Sequence, residues 1–333
     1  MPGIFLLSSE RSGTNLLKKR LCDSNGSICN VPPVHLLRTL GYWESQFGDL
    51  AEESVWESLI SFALRCCYER AVPWKYVFTY ESVKKNYQRK YKDQRSLVRL
   101  TDVFYSMYAS EEGKNWYFCK DLWLFDFSNR IANEIPDSYF IQLVRDPRDY
   151  VVSQLKRPYS HCSVIKHAEC WNSETIRSSN ALVSLAIKDK SFFVTYESFL
   201  EDELACINAI NQWLNIAEQG LFTTDSGSYD FHEWKNIHLP TMRDNFDKYK
   251  KNLSNVQINT VESICWVAMR NMGYKTEAEF RPSISKIFKV WDTICFFVLS
   301  PIKHKINKFK FRNESINRWA ARGLIDDLEK RYR

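Results

Sequence analysis

Residues 4–7 read Ile-Phe-Leu-Leu and run directly into Ser8-Ser9-Glu10-Arg11-Ser12-Gly13-Thr14-Asn15, after which the apolar pattern resumes at Leu16, Leu17 and Leu21. Four consecutive apolar residues suit a strand buried on both faces, and the later spacing is helical. A strand that passes into a helix through small and hydroxylated residues aims backbone N–H groups and a helix N-terminus at one point. Ser12, Thr14 and the Arg11 cation add donors and charge there. The turn therefore predicts a site for a phosphate-like or sulfate-like anion. The common nucleotide-triphosphate loop, GxxxxGK[ST], is absent, because Gly13 is followed by Thr14 where that loop has Lys.

With 333 residues, 44% hydrophobic and 15% aromatic, the chain has ample material for a packed core. Residues 1–280 read as a single domain with a helical insertion at about 42–115, and 281–333 as an amphipathic helix with a basic tail. No cationic leader precedes the first apolar run, which ends at Ser8, so a cytoplasmic protein is the expectation. The ten cysteines show no CxxC pair and no His partners at metal spacing, which predicts buried free thiols and no metal. Net charge is +6, but residues 281–312 carry eight Lys and Arg against Asp292 alone, a net of +7 that leaves the rest at −1. A nucleic-acid partner is not expected from such a balance; only the tail needs an account.

Along the chain, Pro32-Pro33-Val34 gives an extended approach to His35. Apolar residues at helical spacing mark residues 49–70, and a second, more charged helical stretch covers 83–110. Trp116-Tyr117-Phe118-Cys119 is a strand that delivers Lys120 and Asp121 at its C-terminal end, where open α/β sheets gather ligands. Tyr139 to Val144 is another buried strand; Arg145 ends it, and Asp146-Pro147 starts a helix as N-cap and N1. That helix places Ser153 under two turns in, so Arg145 and Ser153 converge on one anion. Ser191 to Glu197 is a further strand, followed by a helix. Asp225 to Pro240 reads as a loop, Asn259 to Met272 as a helix ended by Gly273, and Ile284 to Leu299 as an amphipathic helix stopped by Pro301. The alternation predicts an α/β fold with a mostly parallel central sheet flanked by helices.

These residues resemble a known family. Ser9-Glu10-Arg11-Ser12-Gly13-Thr14-Asn15-Leu16-Leu17 is similar to the 5′-phosphosulfate-binding loop of the PAPS-dependent sulfotransferases. Val144-Arg145-Asp146-Pro147-Arg148-Asp149 with Ser153 is similar to their 3′-phosphate-binding strand and helix, and Tyr196-Glu197-Ser198-Phe199-Leu200 to their "YEDL" segment. The resemblance is nearer to bacterial and Golgi-type members than to cytosolic ones and implies the P-loop NTPase-like sulfotransferase fold. It further implies 3′-phosphoadenosine 5′-phosphosulfate (PAPS) as co-substrate, with Arg11, Ser12, Gly13, Thr14, Asn15 and Leu16 at the phosphosulfate. Arg145 and Ser153 would hold the 3′ phosphate, and Tyr196 would lie near the adenine. Glu10 stands where Pro is common, and it is expected to point away or to pair with a lysine such as Lys18.

Cytosolic members carry a catalytic His two residues after a Lys on the middle strand, but here that strand continues Lys120-Asp121-Leu122. His35 becomes the first candidate for the base that deprotonates a hydroxyl acceptor. The bland reading of His35 is a structural histidine. Asp121 is the second candidate, with orientation of Lys120 by an ion pair as its bland role. Lys120 and Arg11 are expected to stabilise charge on the transferring group. Arg148 is left outside the site, as a partner of Asp149 in the helix's first turn, and Trp171 is read as core. The expected acceptor is a hydroxyl of a glycan, lipid or small metabolite. Two other readings stand beside this one: a nucleoside or sugar kinase with a degenerate loop, and a membrane-surface binding protein working through 284–312. That segment has two open readings, a peripheral membrane contact or a core-docked helix with a solvated tail.

Overall fold

In the computed structural model, which describes residues 1–69, 73–184, 190–216, 242 and 245–310, the first apolar run is strand β1 (Gly3–Leu7), buried along its whole length. There follow α1 (Thr14–Ser24), β2 (Ile28–Cys29), α2 (Leu36–Leu40), α3 (Glu53–Tyr68), α4 (Tyr80–Tyr91) and α5 (Leu97–Glu111). The chain continues through β3 (Trp116–Cys119), α6 (Ser128–Glu134), β4 (Ser138–Val144), α7 (Pro147–Leu155) and α8 (Val164–Ser184). β5 (Ser191–Thr195) leads into α9 (Tyr196–Glu201) and α10 (Glu203–Trp213), and the later elements are α11 (Tyr249–Asn252), α12 (Asn255–Asn271), α13 (Lys286–Ile294) and α14 (Ser300–Lys310).

All five strands lie in one parallel sheet ordered β2-β3-β1-β4-β5. This is the α/β fold expected from the alternation of apolar runs. β1 is central, with Phe5 opposite Cys119 of β3 and Phe140 of β4. The chain leaves β1 toward β2 on one side and later adds β4 on the other. The C-terminal end of β1 is therefore the topological switch point, and the turns that follow β1, β3 and β4 open there together.

Successive strand residues face opposite sides of the sheet. Phe5, Leu7, Tyr117 and Phe140 enter a large core with the helices of the 42–115 stretch, while Ile4, Leu6, Phe118 and Ile141 pack with α1, α9 and α10. The stretch expected as one helix over 83–110 is two. Lys92-Asp93-Gln94-Arg95 has no apolar residue to bury, Lys92 turns to φ 54, and the Ser96 side chain caps a fresh start at α5. α12 begins earlier than expected because Ser254 and Gln257 form a reciprocal capping box. All ten cysteines are free thiols, seven of them buried.

Pro301 does not stop the C-terminal helix. α13 widens into a π turn over Cys295–Leu299 and continues as α14, and the Ser300 hydroxyl donates to the Cys295 carbonyl at 2.9 Å. The wider turn has already shifted the hydrogen-bond ladder where proline lacks its N–H, so the helix passes through. The loop expected at Asp225–Pro240 and the tail beyond residue 310 lie outside the described residues. Among the described residues no helix is long and apolar enough to cross a membrane.

Candidate active site

The turn between β1 and α1 alternates left-handed backbone with ordinary backbone: Arg11 has φ 65 and Gly13 φ 88. Such a turn directs successive N–H groups to one side. Gly13 is required on two counts, since its φ favours glycine and a Cβ there would stand 2.2 Å from the Tyr196 ring. α1 then begins with no side-chain cap, whereas α7, α9 and α10 are capped by Asp146, Thr195 and Asp202. The first-turn amides of Thr14, Asn15 and Leu16 are thus left for an external acceptor. Ser12 is only 1% exposed, and its hydroxyl has no hydrogen-bond partner among the described residues. The Ser8 hydroxyl donates to the Leu143 carbonyl at 2.6 Å and ties the turn to β4.

Asp146 accepts from the Arg148 N–H at 2.8 Å, and Pro147 occupies the first helical position of α7. This sharp start turns Arg145 back over the sheet end. Its guanidinium donates to the carbonyls of Arg11 (3.1 Å) and Asn245 (3.4 Å) and stacks 4.6 Å above the Tyr196 ring. Nε of this buried arginine has no hydrogen-bond partner among the described residues. Arg11 in turn donates from Nε to the Ser153 hydroxyl at 3.3 Å. Arg11, Arg145 and Ser153 therefore form one cluster. Buried donors left over in it, at Ser12 and Arg145, fit an anionic ligand.

Tyr196 is wedged between Gly13 and Arg145, 4% exposed, with its hydroxyl accepting from Asn245 Nδ2 at 2.6 Å. It backs the cradle and offers no open ring face. Arg148 does not pair with Asp149. It is buried against Asp146 (2.6 Å) and Glu262 (2.8 Å) and stacks on Tyr249, while Asp149 accepts from the Tyr249 N–H. Glu10 does not pair with Lys18. Its carboxylate meets Arg157 at 2.6 Å and Arg38 at 3.8 Å, and Lys18 instead donates to the Val31 carbonyl. Burial alone would raise the Glu10 carboxyl; the Arg157 charge and hydrogen bond, with Arg38 and Lys120, outweigh it and hold it below its usual value.

On the opposite side of the sheet end, His35 caps α2 with φ 57. Its Nδ1 accepts from the Leu122 N–H at 3.0 Å and lies 3.6 Å from Asp121 Oδ1. A neutral imidazole held this way carries its hydrogen on Nε2. Asp121 is 3% exposed and accepts from the Tyr105 hydroxyl (2.5 Å) and the Leu36 N–H (3.1 Å). So enclosed, it ties the start of α2, where His35 stands, to α5 and the end of β3. Lys120 is half-buried; burial, then the Lys18 charge, lowers its ammonium to about 8 against the pull of Glu10 and Asp121.

Glu174 on α8 escaped the sequence reading. It is buried, accepts from the Trp123 indole N–H at 3.1 Å, and burial raises its carboxyl above the usual range. Arg38 stacks 4.2 Å over Trp123, so this rim joins the Glu10 pair to α8. The signal for Glu174 was present: an acid three residues after Trp171 and six after Ala168, on the buried face of a helix. Trp171 itself is core, as read, and its indole N–H also holds the Arg145 carbonyl at 2.9 Å. Among the described residues no group of His, Cys, Asp and Glu is placed to hold a metal ion.

The fold has counterparts among solved structures. A solved sulfotransferase domain from the curacin biosynthetic pathway superposes with a TM-score of 0.53 at 16% identity, over 83% of this chain and 99% of that one. A sulfotransferase domain from the Synechococcus PCC 7002 olefin synthase gives 0.46 at 18% identity, over 79% and 94%. No match is found among curated proteins. A family model described as the sulfotransferase family matches residues 2–219, well over half of the chain, and the protein belongs to that family.

Proposed function

We propose that this sulfotransferase takes its sulfuryl group from PAPS and delivers it to a hydroxyl acceptor. One observation carries the reading: Arg11 joins the uncapped start of α1 to Arg145 and Ser153, so one continuous cluster offers donors to both phosphate-bearing ends of a 3′,5′-bisphosphorylated nucleotide. A kinase acting on a nucleoside triphosphate has no use for a second anion site at Arg145, and family membership sets that alternative aside.

The acceptor oxygen bonds to sulfur as the bond from sulfur to the 5′-phosphate oxygen breaks, and the hydroxyl proton passes to a base. The protein's work is alignment and charge stabilisation. Backbone amides of the Ser12–Leu16 turn and Arg11 face the leaving phosphate; a preorganised donor of this kind is worth ~10²-fold or more in rate. Lys120 faces the oxygens of the transferring group from the neighbouring strand. His35 serves as the base at Nε2. To do so its ring hydrogen moves to Nδ1, exchanging the Leu122 N–H for Asp121 Oδ1, so Asp121 is a positioning residue. The test is transfer of radiolabelled sulfate from PAPS to a panel of hydroxylated glycans, lipids and small metabolites, with γ-labelled ATP in parallel. Label is expected from PAPS alone; label from ATP, or from neither donor on any acceptor, contradicts the reading.

A further inference from the structure

We infer that the rod formed by α13, the π turn and α14 is a docking surface for an anionic phospholipid bilayer. One side of the rod is fastened to the protein. Asp292 is buried and accepts from the Val164 N–H at 2.7 Å, Ser300 accepts from the Cys162 N–H at 2.9 Å, and Lys303 donates to the Leu155 carbonyl at 2.9 Å. Asn307 completes the row on the Pro158 carbonyl at 2.6 Å. The helix is docked along this row, and a second side of it remains outside.

That outer side is apolar to an unusual degree. Ile287 is 84% exposed, Val290 64%, Ile294 42%, Val298 50%, Ile302 51% and Ile306 62%, at spacings of three to four residues, with Trp291 and Phe297 exposed beside them. A large exposed apolar patch marks a surface that is covered when the protein works. Its charge selects the cover. Asp292 is the sole acid among residues 281–312 and is turned inward, while Lys286, Lys289 and Lys305 are exposed beside the apolar stripe. A second copy of this chain would bring two such cationic faces together, which like-charge repulsion opposes. An anionic lipid surface meets both features at once: acyl chains take the aromatic and branched side chains, and headgroups take the lysines. The inference does not depend on the identity of the sulfuryl donor.

The position has a consequence for the site. α14 grips the carbonyls of Leu155, at the end of the helix that carries Ser153, and of Pro158 just beyond it, and Arg157 between them holds Glu10 of the turn after β1. Docking on lipid therefore anchors the support of the donor cradle at the bilayer surface.

Sedimentation of the full chain with vesicles tests the inference. With phosphatidylcholine containing a third phosphatidylserine, the protein is expected to pellet at least tenfold more than with phosphatidylcholine alone. The Trp291→Glu/Phe297→Glu variant, altered only at exposed positions, and the Lys286→Glu/Lys289→Glu/Lys305→Glu variant are each expected to lose that pelleting while keeping the wild-type melting temperature. Wild-type protein that stays in the supernatant with both vesicle types overturns the inference. So does a concentration-dependent dimer in light scattering that Phe297→Glu dissociates, because the face is then an interface between copies.

Discussion

Arg145 donates to the backbone carbonyl of Arg11 across 3.1 Å, joining two segments 134 positions apart in the chain. Each segment alone is a strand that turns into a helix. Together they make one cluster, because the side chain of Arg11 continues the link to Ser153, and the proposed nucleotide spans it. Trp171 holds Arg145 from behind and Tyr196 spaces it from Gly13, so the cation is fixed before any ligand arrives.

Replacing His35 separates chemistry from binding. His35→Ala is expected to lower kcat by ~10²- to 10⁴-fold, the range for loss of a general base, with nucleotide affinity unchanged. Asp121→Asn leaves the Tyr105 hydroxyl and the Leu36 N–H competing for one acceptor oxygen. It should cost about 1–3 kcal/mol of stability as well as rate. Steady-state kinetics alongside urea denaturation distinguishes the two; a fully active His35→Ala enzyme removes His35 from the mechanism.

Lys120 sets a pH limit. Its ammonium, lowered to about 8 from 10.5, is lost as pH rises through that value, so kcat/KM should show a descending alkaline limb near pH 8. Lys120→Arg, which stays charged, should move the limb to higher pH. Stability follows the opposite sense. The folded state holds this proton less tightly than the unfolded chain, so the charge costs stability below about pH 8, and that cost is relieved as pH rises toward 10.5.

Gly13→Ala must relieve both a positive φ and a 2.2 Å approach to the Tyr196 ring. Left-handed strain alone is worth about 1–3 kcal/mol, and displacing a buried ring adds to it. Chemical denaturation should show at least that loss. Adding Tyr196→Ala should not restore wild-type stability, because the strain persists and Arg145 loses its stacking partner.

Glu10 is the acid in the anion turn, and Arg157 explains it. Glu10→Gln removes that negative charge and releases a guanidinium beside the site. Nucleotide binding should tighten by about 3- to 10-fold, roughly 0.7–1.4 kcal/mol. The lost pair is partly exposed and should cost about 1 kcal/mol or less. Weaker binding in titration calorimetry would mean that Glu10 orients the turn directly.

The parts legible in the sequence were those with a local cause. The apolar runs at Ile4–Leu7, Trp116–Cys119 and Tyr139–Val144 became parallel strands because apolar side chains dominate them, the one polar position, Gln142, donating to the Ser178 and Ser179 hydroxyls, and Ser12-Gly13-Thr14 announced a turn into a helix. What escaped depends on long-range placement. Nothing near Glu10 in sequence indicates Arg157, 147 positions away, and nothing near Lys18 indicates the carbonyl of Val31. The contact of Tyr196 with Gly13 had no local signal either, because only the fold shows how closely β5 delivers the ring. Pro301 was read as a stop, since a π turn that accommodates proline has no local signature.

The central claim is that Arg145 and the Arg11 turn hold opposite ends of one bisphosphorylated nucleotide. Titration calorimetry with 3′-phosphoadenosine 5′-phosphate and with AMP, on wild-type protein and on Arg145→Ala, tests it directly. The wild type should bind the bisphosphate at least about tenfold more tightly than AMP, and Arg145→Ala should abolish that preference with little change for AMP, consistent with the loss of a charge-assisted contact. Equal affinity of the wild type for both nucleotides, or a preference that survives in Arg145→Ala, would contradict it.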